Sequence, residues 1–190
     1  MSDLSLGRPS AAVPSTIRLS TSGLTFSAPD GFCIDLDSVK ETADSGFVMM
    51  AGCNALRGRS TSQPKSSMVT AVFSSPMPDG QGLTAQALAA YFNTEQGRAA
   101  LSRGGVSETV EISMATSEDD ILVIHTKDSS PVTVRGLAAE DWRAFAMVQN
   151  RLVTLTAVPF SGISAAGLSP NDLVLQAMRK LLQENANLDV

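Results

Sequence analysis

The chain has 190 residues, 43% of them hydrophobic and 17% charged, and a net charge of −5. One hydrophobic core serves that length, and the acidic balance argues against the clustered Lys and Arg of a nucleic-acid footprint. No stretch is apolar for long enough to cross a bilayer as a helix; the longest charge-free run, 152 to 171, carries Pro159, Gly162, Gly167 and Pro170.

Residues 1 to 15 are rich in Ser, Ala, Pro and Gly and predict a poorly ordered arm, leaving residues 16 to 190 as one domain. No basic start followed by an apolar core marks an export leader. Alternation of apolar and polar residues predicts short strands over 16 to 19 and 23 to 28, about a Thr21-Ser22-Gly23 turn. Pro29-Asp30-Gly31 is a second turn signal and 32 to 36 a strand. Asp37-Ser38 then predict the cap of one or two helical turns through Ala43, with Lys40 and Glu41 exposed.

Gly46 breaks those turns, and 47 to 51 is a buried strand. The stretch from Asn54 to Ser67 reads as a surface loop holding the solvated Arg57-Gly58-Arg59, and 67 to 74 returns to the sheet. After a loop over 76 to 82, Thr84 caps a helix over 85 to 92. Thr94 with Glu95 caps another through Ser102, stopped by Gly104-Gly105. Val106, Val110 and Ile112 belong to one strand and 121 to 125 to the next, joined by the acidic turn 117 to 120; 128 to 136 is a loop around Pro131.

Two apolar runs between Ala138 and Val158 flank Gln149-Asn150 and predict a central hairpin. Ser169-Pro170-Asn171-Asp172 starts a helix with Ser at the N-cap, Pro at N1 and an acid at N3. Leu173, Val174, Ala177, Met178, Leu181 and Leu182 form its apolar stripe. The class is α+β: a mostly antiparallel sheet covered by helices, with the C-terminal helix packed on it.

No motif for catalysis or metal binding stands out. Cys33 and Cys53 are the two cysteines, far from CxxC spacing, each in an apolar run. A disulfide between them is favoured over two buried thiols; it closes a loop of about 20 residues, for about 3 kcal/mol in the chain-entropy picture. His125 is the only histidine and shares a strand face with Ile121 and Val123. A catalytic role needs an adjacent acid or thiol, which the spacing does not supply. Asp35, Asp37, Asp44, Asp119 and Asp120 read as caps and turns, without EF-hand spacing. No metal or cofactor is expected. Arg98 and Arg103 lack a phosphate-loop context and read as solvent-facing, their stems covering the helix. Trp142 and Tyr91 join His125 as the candidates for ligand contact, as large amphipathic side chains favour recognition sites; core packing is the favoured role for Trp142.

The segments 28 to 35 (APDGFCID), Ala51-Gly52-Cys53, 97 to 102 (GRAALS) and Trp142-Arg143 through 152 to 155 (LVTL) resemble a group of short, functionally uncharacterised bacterial proteins usually made with an export signal. The resemblance implies a Cys33–Cys53 disulfide and an extracytoplasmic location, and no activity. The order of elements is similar to the PsbP-type α/β/α sandwich, whose members are mostly non-enzymatic binding or assembly factors; fold likeness does not fix function.

The function expected is therefore a monomeric periplasmic module that binds a protein partner or small ligand through the open sheet or the 54 to 67 loop. Two alternatives stand beside it. One is a hydrolase-like enzyme built from dispersed residues around His125; the other is a cytoplasmic chaperone-like protein using residues 1 to 15 as its tail.

Overall fold

Gln149 and Asn150 adopt left-handed backbone, with φ of 48° and 59°. Two such residues in succession make a hairpin turn whose twist matches that of its strands. They join the two long strands at the centre of the molecule. The computed structural model describes residues 13–60, 65–78, 82–132, 134–163 and 167–186.

In chain order the strands are β1 (Thr16–Arg18), β2 (Thr25–Ser27), β3 (Phe32–Glu41), β4 (Gly46–Gly52), β5 (Ser67–Phe73), β6 (Val110–Glu118), β7 (Ile121–Asp128), β8 (Glu140–Val148) and β9 (Arg151–Pro159). The helices are α1 (Cys53–Leu56), α2 (Ala85–Phe92), α3 (Glu95–Leu101) and α4 (Pro170–Asn185). Seven strands form one antiparallel sheet in the order β3-β4-β5-β9-β8-β7-β6, and β1 and β2 make a separate hairpin. The expected central hairpin is β8–β9, with Trp142 opposite Ala157 and Val148 opposite Arg151.

Both faces of the sheet carry helices, and strand alternation sorts the side chains between them. Ile34, Val48, Met50, Val69, Ala71, Val123, Val153 and Leu155 turn to one face. There they meet the stripe of α4, together with Leu24 and Phe26 of the β1–β2 hairpin. The Ser169 hydroxyl accepts from the Asp172 amide at 3.2 Å, with Pro170 in the first turn, as the sequence predicts. Near the other end of α4, the Asn185 side chain accepts from the Thr25 amide and donates to the Thr25 carbonyl, each at 2.9 Å. That exchange pins helix to hairpin. On the opposite face Leu122, Ile124 and Phe145 meet Leu88 and Phe92 of α2 and Leu101 of α3. Thr84 and Thr94 cap these helices, accepting from the amides of Ala87 and Gly97.

The helices on this second face pack over β6 and β7. Further along, β4, β5 and β9 present Phe47, Met49, Thr70, Val72 and Thr154, and Val72 is 46% exposed. That alternating apolar and threonine surface leads toward α1.

Several expectations need correction. Residues 37 to 41 are strand, not helix: β3 runs on to Glu41, pairing Lys40 with Phe47 and Glu41 with Gly46. Asp, Ser, Lys, Glu and Ala there carry a helix-cap signal, but the ladder offered by β4 overrides local propensity. Between the paired positions β3 is bulged, and the Ser38 hydroxyl fills the gap, donating to the Asp35 carbonyl at 2.7 Å and accepting from the Met49 amide at 3.1 Å. Glu41 is half-buried rather than exposed, and its carboxylate accepts from the amides of Thr21 and Ser22 at 3.0 and 2.7 Å. Val106 lies outside β6, which begins at Val110 after a 3-10 turn over Ser107–Thr109. The acidic turn is only Asp119 and Asp120, both left-handed at φ 49° and 61°.

Of the expected arm over residues 1 to 15, residues 1 to 12 lie outside the described residues. The Pro14 and Ser15 carbonyls accept from the amides of Ile34 and Ala28, at 2.7 Å each. The expected 54 to 67 loop begins as helix α1, ends as β5, and at 61 to 64 lies outside the described residues.

Candidate functional site beside the disulfide

Gly52 ends β4, and the chain turns at once into α1, a single helical turn with no side-chain cap at its start. Four residues cannot hold a helix by their own hydrogen bonds. Two tethers hold this one: the Cys53 amide donates to the Gly31 carbonyl at 3.2 Å, and Cys53 is disulfide-bonded to Cys33. Cys33 pairs with Ala51 in the β3–β4 ladder, so the bond fastens α1 over the second face of the sheet. Gly58, at φ 64°, ends the turn in the left-handed conformation that glycine accepts without strain.

Beside the disulfide is a cavity of about 440 Å³, a size at which small ligands are held. Ala51, Gly52 and Gly31 form its floor and α1 one wall. Phe160 and Ile163, just beyond β9, form the other, fixed where the Phe160 amide donates to the Ser66 carbonyl at 2.8 Å. Lys65 and Arg59 supply the ionisable groups of the described lining. Lys65 is held in place: its ammonium donates to the Asp30 carbonyl at 3.1 Å and stands 5.3 Å over the Phe32 ring. A β-carbon on Gly31 would come within 2.6 Å of Lys65 Nζ, and one on Gly52 within 3.0 Å of its Cγ. The lysine stem thus lies across two glycines, and neither position has room for a side chain without moving it.

The three residues expected at a ligand site are not here. His125 and Trp142 come together, their rings stacked at 3.8 Å with 11° between planes. His125 Nε2 is 3.1 Å from Glu140 Oε2 and its Nδ1 is 2.6 Å from Ser113 Oγ. Ser113 is the extra residue of a bulge: the β6–β7 register shifts between Ile112 and Met114, which aims the hydroxyl at the imidazole. The histidine therefore does have an acid beside it, together with a hydroxyl. Trp142 packs partly buried on the α4 side of the sheet, the packing role favoured from sequence. Tyr91 stands apart on α2, 46% exposed and 5.4 Å from the Phe92 ring on the other face.

Arg103 is exposed, as expected, but it is also tied down. Its amide donates to Asp128 Oδ2 at 2.6 Å, and its guanidinium donates to the Asp128 carbonyl at 2.6 Å and the Ser130 carbonyl at 3.2 Å. Burial opposes ionisation of Asp128, but hydrogen bonds from the Arg103 and Ser130 amides and from the Ser130 and Thr109 hydroxyls outweigh it and hold its pKa at about 2. Glu41 behaves alike: burial is outweighed by hydrogen bonds from Ser22 and Thr21, and its pKa is about 2. Both are structural anchors, and within β3 Asp35 Oδ1 accepts from the Asp37 amide at 3.2 Å. Among the described residues no three His, Cys, Asp or Glu side chains gather where a metal ion could be held, and no helix is long and apolar enough to cross a membrane.

Sequence reasoning placed Asn54, Arg59 and Lys65 in a candidate contact loop but missed Phe160 and Ile163, which reach the cavity from about a hundred residues away. The one local signal was a glycine near each cysteine, Gly31 before Cys33 and Gly52 before Cys53. Comparison of the chain with protein-family models, with curated proteins and with solved structures found no match.

Proposed function

We propose that the chain is an extracytoplasmic binding module whose ligand site is the cavity beside the Cys33–Cys53 disulfide. The cavity itself carries this reading. It joins apolar surface to two cations, Lys65 and Arg59, and to the neutral polar side chains of Asn54 and Ser60. Apolar surface with a few polar groups at its edge is the usual make-up of a binding pocket. The extracytoplasmic part rests on the disulfide, since such bonds persist in oxidising compartments. The test is an amide-resolved NMR titration of the oxidised chain with a small apolar probe, 1-octanol. Shifts are expected at Gly31, Ala51, Asn54 and Ile163; a titration that leaves all four unmoved removes the proposal.

A second reading has one observation in its favour, the contact of Ser113, His125 and Glu140. Glu140 can orient and charge-balance the imidazole, which can accept the Ser113 proton, the arrangement an activated hydroxyl nucleophile needs. Hydrolysis also needs donors for the oxyanion and a cavity for the substrate. The four described cavities are lined by other residues. A fluorophosphonate that labels Ser113, and fails to label the His125→Ala variant, would favour this reading. Unlabelled wild-type protein would end it.

A further inference from the structure

Resting on the cavity beside the disulfide as a ligand site, we propose that its ligand is an amphipathic anion, a small apolar chain or ring ending in one carboxylate-like head. The lining combines apolar side chains, the neutral polar side chains of Asn54 and Ser60, and two cations. Ala51, Ala55, Phe160 and Ile163 offer apolar surface, and the ionisable groups of the described lining are both cations, Lys65 and Arg59. Among the described residues neither cation is in an ion pair. The acid nearest to hand, Asp30, is already taken: its carboxylate accepts from Lys180 Nζ at 2.7 Å, while Lys65 holds only the neutral carbonyl of the same residue. The lysine stem lies against Gly31 and Gly52, which places its ammonium at the edge of the cavity.

Two cations at one apolar cavity, neither in an ion pair and Lys65 offset only through the field of the nearby Asp30 carboxylate, run against the net charge of −5 of the whole chain. Filling the cavity displaces water from around them. A neutral ligand leaves them less hydrated with nothing in exchange, and a cationic one adds repulsion. An anionic head replaces the lost water with charge-assisted hydrogen bonds, in surroundings where charge interactions are stronger than in bulk water. The apolar tail takes the floor and the Phe160–Ile163 wall. The size, about 440 Å³, suits a short chain or a ring system rather than a folded polypeptide segment.

The experiment compares octanoate, 1-octanol and octylammonium, three heads on one tail, by calorimetry and amide shifts on the full, oxidised chain. Octanoate is expected to bind about tenfold more tightly than 1-octanol, with octylammonium weakest. In the double variant Lys65→Met, Arg59→Gln the ratio of octanoate to 1-octanol affinity is expected to fall to about one. Arg59 is exposed, so Arg59→Gln alone, expected to lose about threefold for octanoate, serves if the double variant folds poorly. Equal affinity for octanoate and 1-octanol, or preference for octylammonium, overturns the anion and leaves the ligand site standing. Failure of all three to shift the cavity amides removes the ligand site itself. Vesicles of phosphatidylglycerol against phosphatidylcholine separate a free anion from a lipid head group. Binding to the anionic vesicles, with octanoate excluded, would overturn the proposal in favour of a membrane surface.

Discussion

Cys53, the first residue of α1, is bonded to Cys33 on β3, with the two α-carbons 4.8 Å apart and a sequence separation of 20. The bond fixes a helical turn too short to persist alone, and with it one wall of the cavity. Replacing both residues with serine is expected to cost about 3 kcal/mol in urea unfolding, the loop-closure value for a ring of this length. The same variant is expected to lose ligand binding before it loses its fold, because α1 makes no side-chain cap of its own. Thiol counting on denatured, unreduced protein gives the companion observation: no labelled cysteine is predicted.

Gly97 sits where α3 crosses the end of α2. A β-carbon there would lie 2.0 Å from the Tyr91 carbonyl oxygen and 2.6 Å from the Phe92 α-carbon. Those are backbone atoms and cannot swing aside, so Gly97→Ala must separate the two helices, at a cost of about 3 kcal/mol. Gly82 has nothing within 4 Å of the place a β-carbon would take. Gly82→Ala is therefore expected to leave stability within about 0.5 kcal/mol. Thermal unfolding of the pair checks both, and equal midpoints would contradict the close approach.

Asp128 is 1% exposed and titrates at about 2 in the folded chain, against an ordinary value of 3.8. A depressed folded pKa stabilises the fold above the unfolded value and loses that contribution as pH falls through the folded one. Stability is therefore expected to decline from about pH 4 to about pH 2, with Asp128 accounting for about 2 kcal/mol of the decline and Glu41 adding in the same direction. In Asp128→Asn the drop over that window is expected to be shallower by the same amount. Urea midpoints at pH 5 and pH 2.5 measure it; an unchanged slope in the variant would refute the assignment.

How much of this was legible in the sequence follows the range of the forces involved. Ser169, Pro170 and Asp172 announce α4 because a cap is built within four residues. Gln149-Asn150 and the runs beside it reveal the central hairpin for the same local reason. Residues 37 to 41 misled because their local signal is helical while the deciding partner, β4, is offered by tertiary structure. The cavity was the least visible feature: Lys65 and Phe160 become neighbours only through the β5–β9 ladder, and no spacing encodes that. His125 drew attention as a lone titratable residue, yet what gives it chemical interest is a bulge at Ser113 that alternation cannot reveal.

Intermolecular nuclear Overhauser contacts from bound octanoate test most directly whether the space beside the disulfide holds a ligand. Contacts are expected from the octanoate chain to the methyls of Ala51, Ala55 and Ile163 and to the Phe160 ring, lost when Cys33 and Cys53 are both serine. Contacts instead to Trp142 beside His125, or to Met49 and Val72 on the open sheet, would contradict this placement and move the binding site elsewhere on the molecule.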